Sequence, residues 1–226
     1  MNFSIFGNNL CVIAPHPDDE VLGCGGLISK LTKNKISVNI LFVSGHLPPI
    51  YSKQTFEKTR REAIKASKIM GVDNLEFLEL PATYLHETPL SILNSKIYDF
   101  ISQNKATSVA IPFPDRHIDH KLIFESSMVV TRPIGQNYPK FIFAYETLSE
   151  TSWNAPNIEP TFSPEIFVNI NEEFGTKKNA LKAYTSQIHD NPSRDINAID
   201  ALARYRGSQN GYKYAEAFKI IRYLVD

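Results

Sequence analysis

Residues 10–26, LCVIAPHPDDEVLGCGG, decide how this chain is read. Residues 10–14 form a short, continuous apolar run, the pattern of a strand buried on both faces of a parallel sheet. The run stops at Pro15-His16-Pro17-Asp18-Asp19-Glu20, and a second polar cluster, His117-Ile118-Asp119-His120, follows the apolar residues 108–113. A hydrophobic strand that ends in His and Asp puts those side chains at the carboxyl edge of a sheet, where open α/β folds bind ligands. Two imidazoles and a carboxylate are the donors of a catalytic zinc that keeps one position open, whereas structural sites take four ligands rich in cysteine. Only two cysteines are present, Cys11 and Cys24, without CxxC spacing. Both read as small buried apolar residues, which favours a reducing, cytoplasmic setting.

Outward from this stretch, strands are predicted over residues 10–14, 38–43, 75–80, 108–113, 141–145 and 166–170. Helices are predicted over 21–31, 55–70, 90–103, 119–131, 172–185 and 197–206. Strand and helix alternating about every thirty residues point to right-handed βαβ units and an α/β fold with a mostly parallel sheet flanked by helices. Gly23, Gly25 and Gly26 fall on the opening turns of the first helix, where each costs about 1 kcal/mol, so close packing against the sheet is the expected reason for them. In the second helix Ala63, Ala66, Ser67 and Met70 make the inner stripe, Glu57 and Arg61 are spaced to pair, and Gly71 stands where a C-cap belongs. Residues 147–164 read as a loop bordering the site and carry the only tryptophan, Trp153.

The 226 residues, 42% hydrophobic, suffice for one well-buried core and show no composition break, so a single domain over 1–226 is expected. The formal net charge of zero, with both signs mixed, gives no footprint for nucleic acid or an anionic membrane surface. No apolar run approaches a membrane span and no export signal is visible at the N-terminus. A small-molecule substrate fits best. The Gly23-Cys24-Gly25-Gly26 run is not a phosphate-cradling fingerprint.

The strand-to-helix turn can aim His16 and Asp19 at one cation, while the adjacent Asp18 accepts a proton from the attacking water. Pro15 and Pro17 stiffen that turn. His117 and His120 stand three apart at a helix start, and Asp119 can approach either ring. One of the two histidines binds metal; the other, held protonated by Asp119, donates to an oxyanion or a departing amine. Spacing leaves open which is which.

The stretch Ala14-Pro15-His16-Pro17-Asp18-Asp19-Glu20-Val21-Leu22-Gly23-Cys24-Gly25-Gly26, together with His117-Ile118-Asp119-His120, resembles the LmbE-like, or PIG-L, family of zinc-dependent N-acetylglucosaminyl deacetylases. The resemblance implies a Rossmann-like three-layer fold, with the metal site at the carboxyl ends of the strands. It implies hydrolysis of the N-acetyl group of a glucosamine-type sugar, releasing acetate and a free amine. Carried over by position, His16, Asp19 and His120 would hold the zinc and Asp18 would be the general base. His117 would stabilise the oxyanion or protonate the amine, oriented by Asp119. Ferrous iron or cobalt would suit the same donors. The likeness extends to Arg60-Arg61-Glu62-Ala63, Ala183-Tyr184-Thr185-Ser186-Gln187 and Tyr214-Ala215-Glu216-Ala217-Phe218. It departs at Ile118, where many members have proline, and at Thr59, where an arginine is common. Arg60 and Arg61 therefore read as solvated helix residues. His46, His86 and His189 read as surface residues, Arg132-Pro133 as a helix end, and Glu216 as a buried structural carboxylate.

Two other classes share part of this pattern. A metal-dependent amidase on a sugar-thiol conjugate uses the same groups, whereas a phosphoesterase would want two metals about 3.5–4 Å apart and a second carboxylate-rich set that this chain lacks. A nonenzymatic sugar- or nucleotide-binding module would have no need of Asp18. The substrate's attached group and the number of subunits, a homo-oligomer included, stay open.

Overall fold

The computed structural model describes residues 4–72, 74–135, 138–188 and 192–225. Among these residues seven strands form one sheet in the order β3-β2-β1-β4-β5-β7-β6. They are β1 (Asn9–Ala14), β2 (Ser37–Gly45), β3 (Asn74–Pro81), β4 (Ser108–Pro112), β5 (Phe141–Tyr145), β6 (Ile166–Asn169) and β7 (Ala215–Tyr223). Strand β1 pairs in parallel with β2 on one side (Leu10 with Val38) and with β4 on the other (Leu10 with Ser108), so the chain order reverses there. Strands β3 and β5 extend the parallel part, and β7 and β6 add an antiparallel edge. This is the mostly parallel α/β sheet expected from the alternating pattern.

Helices α1 (Asp19–Lys33), α2 (Lys53–Ile69), α3 (Leu90–Gln103), α4 (Ile118–Val130), α5 (Phe174–Ala183) and α6 (Ile196–Ser208) cover both faces. The period of two along β1 explains the layering. Leu10, Val12 and Ala14 face a core with Val21, Leu27 and Leu31 of α1, Ala63 and Ala66 of α2, and Phe174 and Leu181 of α5. Cys11 and Ile13 face a second core with Leu93, Ile97 and Phe100 of α3 and Ile123 of α4. In α3, Leu93, Ile97, Phe100 and Ile101 form one stripe, and burying each such side chain contributes roughly 1.5–3 kcal/mol. The second helix ends as its sequence suggests, with Met70 as C-cap and Gly71 at φ +80°. No helix among the described residues is long and apolar enough to cross a membrane.

Close packing accounts for the glycines of α1. A Cβ on Gly23 would lie 2.2 Å from the Tyr145 ring, and one on Gly26 would lie 2.6 Å from Ile170. Glu216 of β7 lies against the same stretch: its two oxygens accept the Gly26 and Leu27 N–H groups, each at 2.7 Å. Lys177 of α5 donates to Glu216 at 2.6 Å and to the Leu22 carbonyl at 2.8 Å. A buried carboxylate survives only when its charge and lone pairs are met in this way. Glu216 is thus the buried structural carboxylate its sequence context suggests, and it seats the helix that opens the site.

Candidate metal centre

Two strand-to-helix corners meet at the carboxyl edge of the sheet, because β1 and β4 are neighbours. At the first, Ser44 donates both its N–H and its hydroxyl to the Pro15 carbonyl at 2.9 Å, fixing the turn to β2. Asp18, the N-cap of α1, has φ +124°, a region costly for any residue with a side chain. Glu20 braces it: Oε2 accepts the Asp18 N–H at 3.1 Å, while Oε1 accepts the Tyr184 hydroxyl at 2.5 Å. Such strain is retained where surrounding contacts over-determine the backbone, and functional sites are where it collects.

At the second corner, Asp115 follows β4 and accepts the His117 N–H at 3.1 Å. Its carboxylate also meets His120 Nδ1 at 2.9 Å and the Thr151 hydroxyl at 3.0 Å. His117 is the N-cap of α4, its Nδ1 accepting the Asp119 N–H at 3.2 Å. Asp119 is the point where the geometry differs from expectation. Its Oδ2 lies 2.9 Å from His16 Nε2 and accepts the Thr83 N–H at 2.7 Å, but stands 4.0 Å from His117 Nδ1. The capping bond turns His117 away, so Asp119 orients His16 instead. Nor is His117 held protonated: its accepting Nδ1 requires a neutral ring with the proton on Nε2. Burial, together with the charges on His16 and His120, pushes its pKa down to about 4.

His16, His117 and His120 offer ring nitrogens within 4.8 Å of one another. A tighter set includes Asp19, whose Oδ2 lies 3.2 Å from His16 Nδ1 and 3.3 Å from His120 Nε2. Two ligands bonded at ~2.0–2.1 Å to one tetrahedral cation stand about 3.3 Å apart. Both imidazoles in this set spend their other nitrogen on a carboxylate, His16 on Asp119 and His120 on Asp115, the support that metal-binding histidines ordinarily have. The donors present therefore fit a divalent cation.

The charges are strongly interlocked. Burial disfavours a charged His16, but hydrogen bonds to Asp119 and Asp19 win and hold it up at about 9. Burial likewise opposes charge on His120, and the Asp19 charge and the Asp115 hydrogen bond lift it to about 10. Asp19 is buried too, yet the His120 charge and hydrogen bond keep it well below the carboxylate range. Asp18 behaves oppositely: burial raises it to about 7 against the pull of Arg194, whose Nη1 lies 3.3 Å from Asp18 Oδ2. Glu20 rises to about 8, again through burial and against its hydrogen bond from Tyr184.

A cavity of about 120 Å³ opens on this cluster, lined by His16, Asp18, His117, His46, Tyr51, Thr83, Gln187 and Arg194 among others. A larger one, about 740 Å³, lies at the opposite edge of the sheet beside Thr107, Phe141 and Tyr223, far from the cluster of titratable groups. Chemistry, rather than size, selects the smaller. His46 is therefore corrected: the end of β2 carries it into the site, not onto the outer surface. His86 is exposed as read, and His189 lies outside the described residues. Arg60 pairs with Glu79 and Arg61 with Glu57, away from the cavity, while Arg132 donates to the Val129 carbonyl.

The outer motifs meet as well. Glu62 of α2 accepts the Thr185 hydroxyl at 2.6 Å and the Ser186 N–H at 3.1 Å. Loop 147–164 is pinned over the second corner by Glu159, which takes Arg116 at 2.9 Å and Lys121 at 2.5 Å, and it leaves Trp153 59% exposed. Within that loop Glu150 reaches Arg194 at 3.5 Å. Asp115 and Arg194 were not among the residues that the sequence singled out. An Asp at the end of a buried strand two residues before His117 was a usable signal for the first; nothing local marks the second.

Comparison with known proteins gives the same two corners a family. An uncharacterized deacetylase, YaiS, of Escherichia coli (strain K12) is 29% identical over 78% of this chain and 90% of that protein. Diacetylchitobiose deacetylase of Thermococcus kodakarensis is 28% identical over 94% of this chain and 82% of the relative. Among solved structures, GalB, the 4-carboxy-2-hydroxymuconate hydratase of Pseudomonas putida KT2440, superposes with a TM-score of 0.79, covering 97% of this chain and 98% of its own, at 16% identity. That likeness speaks to the fold alone, since one fold hosts many reactions. A family match, described as PIG-L, GlcNAc-PI de-N-acetylase, spans residues 11–131 and encloses every residue from Cys11 of β1 to the end of α4. With His16, Asp18, Asp19, His117 and His120 all inside that match, the chain belongs to the PIG-L family of de-N-acetylases.

Proposed function

We propose that this chain is a metal-dependent hydrolase that removes the acetyl group from an N-acetylglucosamine-type amino sugar or its conjugate, releasing acetate and a free amine. The observation that carries the reading is the convergence of His16 Nδ1, Asp19 Oδ2 and His120 Nε2 beside a second carboxylate, Asp18, paired with Arg194 at the mouth of a small cavity. In this reading His16, Asp19 and His120 hold the cation. Zinc suits two imidazoles and a carboxylate best, with ferrous iron or cobalt as chemically reasonable substitutes. Bound there, a divalent cation would supply Lewis-acid polarisation of the amide carbonyl and make water a stronger acid.

The chain's own residues then have distinct tasks. Asp18, kept off the cation by Arg194 and by its N-cap backbone, takes the proton of the attacking water and delivers it to the leaving amine. His117, with Nδ1 accepting from the Asp119 N–H, presents Nε2–H as a donor to the developing oxyanion. Asp119 and Asp115 hold His16 and His120 in the tautomers that free Nδ1 and Nε2, respectively. The deacetylases among the chain's relatives support the reaction class.

The test is acetate and amine release from N-acetylglucosamine, N,N'-diacetylchitobiose and sugar-thiol amides, using protein of known metal content with and without chelator. Chelator-sensitive acetate release is expected. Release only of a different acyl group moves the chain to the amidase reading, and no release from fully metallated protein overturns the hydrolase reading.

A further inference from the structure

Among the described residues three histidines, His16, His46 and His117, line the candidate cavity, and His120 lies behind the His117 ring; both ring nitrogens of His16 and His120 and the Nδ1 of His117 are engaged. His16 and His120 are held between carboxylates, and His117 caps a helix. His46 is different: its Nδ1 is sealed from solvent and has no hydrogen-bond partner. A buried N–H without an acceptor is a rarer orphan than an acceptor without a donor. The proton of the neutral ring therefore belongs on Nε2. No bond within the described residues engages Nε2, and it is absent from the buried, unpaired atoms, so it is the imidazole's accessible polar atom. The ring belongs to the wall of the cavity that also contains Asp18 and His117.

Its placement is firm. Tyr51 packs edge-on against the ring at 4.5 Å between centroids. The preceding Gly45 carbonyl accepts the N–H groups of Leu47 at 2.8 Å and Ala82 at 2.9 Å, which fixes the backbone on either side of the turn. His46 follows β2, whereas His16 follows β1, and parallel neighbours lie about 4.8 Å apart. The backbone that carries the imidazole is thus offset by one strand from the corner that carries His16 and Asp18, a distance that a single pyranose ring spans. At that offset a sugar presents hydroxyls, and an N–H donor is what a hydroxyl oxygen accepts.

We propose that His46 is a substrate-binding, specificity-determining residue whose Nε2–H donates to one ring hydroxyl of the sugar that carries the acetamide. This rests on the deacetylase reading, because the sugar is placed by the reacting amide. It makes recognition depend on a hydroxyl at one position of the ring, and it predicts that an N-acetylated amine lacking that hydroxyl is discriminated against even though the reacting bond is unchanged.

The experiment is a cycle between side chain and hydroxyl. The methyl β-glycoside of N-acetylglucosamine and its 3-, 4- and 6-deoxy analogues are assayed with wild-type protein and His46→Ala, with metal content measured in both. Binding of the same sugars to Asp18→Asn and to Asp18→Asn/His46→Ala is followed by calorimetry. The expected result is a loss of about tenfold in kcat/KM and in affinity on the parent sugar, with metal content unchanged, that vanishes for one deoxy analogue only. An equal loss across all four sugars, or no loss on any, overturns the proposal while acetate release keeps the deacetylase reading. No acetate release with the binding cycle intact removes the deacetylase reading and keeps the contact. Neither release nor binding overturns both.

Discussion

The two strand-to-helix corners that build the site do comparable work by different means. Each follows a central parallel strand, opens a helix and presents histidine and aspartate. The first is strained and held from far away: Asp18 sits at φ +124°, Glu20 is reached by Tyr184, and Arg194 lies over the carboxylate. The second is relaxed and braces its own histidines locally, with His117 as an ordinary N-cap at φ −76° and Asp115 serving both from within five residues. The difference follows from what each must hold. Orienting an imidazole needs one hydrogen bond, which a nearby residue can give. Keeping two adjacent carboxylates buried on different tasks needs a backbone that would not adopt its shape unaided.

Substitutions that break one corner at a time test this contrast. The largest effect is expected for His16→Ala in the first corner, which removes a proposed ligand: metal content should drop together with acetate release, and a fully metallated, inactive variant would reassign the ligand set. Asp18→Asn comes next. It should retain metal while kcat falls by roughly two to four orders of magnitude, the usual span for lost general-base catalysis. In the second corner Asp115→Asn removes a local brace, so metal affinity should weaken about 10- to 100-fold in a competition titration, with stability little altered. Tyr184→Phe, a remote brace of the first corner, has the smallest expected effect: it leaves a buried Glu20 oxygen without its donor, and thermal unfolding should show a loss of roughly 1–3 kcal/mol with metal content intact. If Asp115→Asn lowered stability as much as Tyr184→Phe, the distinction between local and remote bracing would fall.

The fold and the two polar clusters were legible because they are written in contiguous residues. Apolar runs of five or six residues reveal buried strands by their pattern alone, and His16 to Glu20 is compact enough to be read as one turn. Long-range partners are not written that way. Arg194 reaches Asp18 only because the segment before α6 passes over the first corner, and no nearby spacing encodes that path. The role of Asp119 escaped for a different reason. A carboxylate between two histidines in sequence can serve either, and the choice fell to a third, His16, in the turn after another strand. His46 was readable in principle, since the argument that placed His16 at the carboxyl edge of the sheet applies equally to a histidine just beyond the strand 38–43.

The placement of Trp153 has a consequence for how this molecule is watched in solution. The chain's sole tryptophan stands on an exposed turn of the loop that Glu159 fastens beside the second corner, and it belongs to neither apolar core. Intrinsic tryptophan emission is therefore a local gauge of that loop: its wavelength should change little when the sheet melts, and its anisotropy should rise or fall with the tether. Far-ultraviolet dichroism reports the sheet and helices, so the two signals need not share a midpoint. Where they part, the interval between them measures how much earlier the border of the site lets go than the scaffold beneath it.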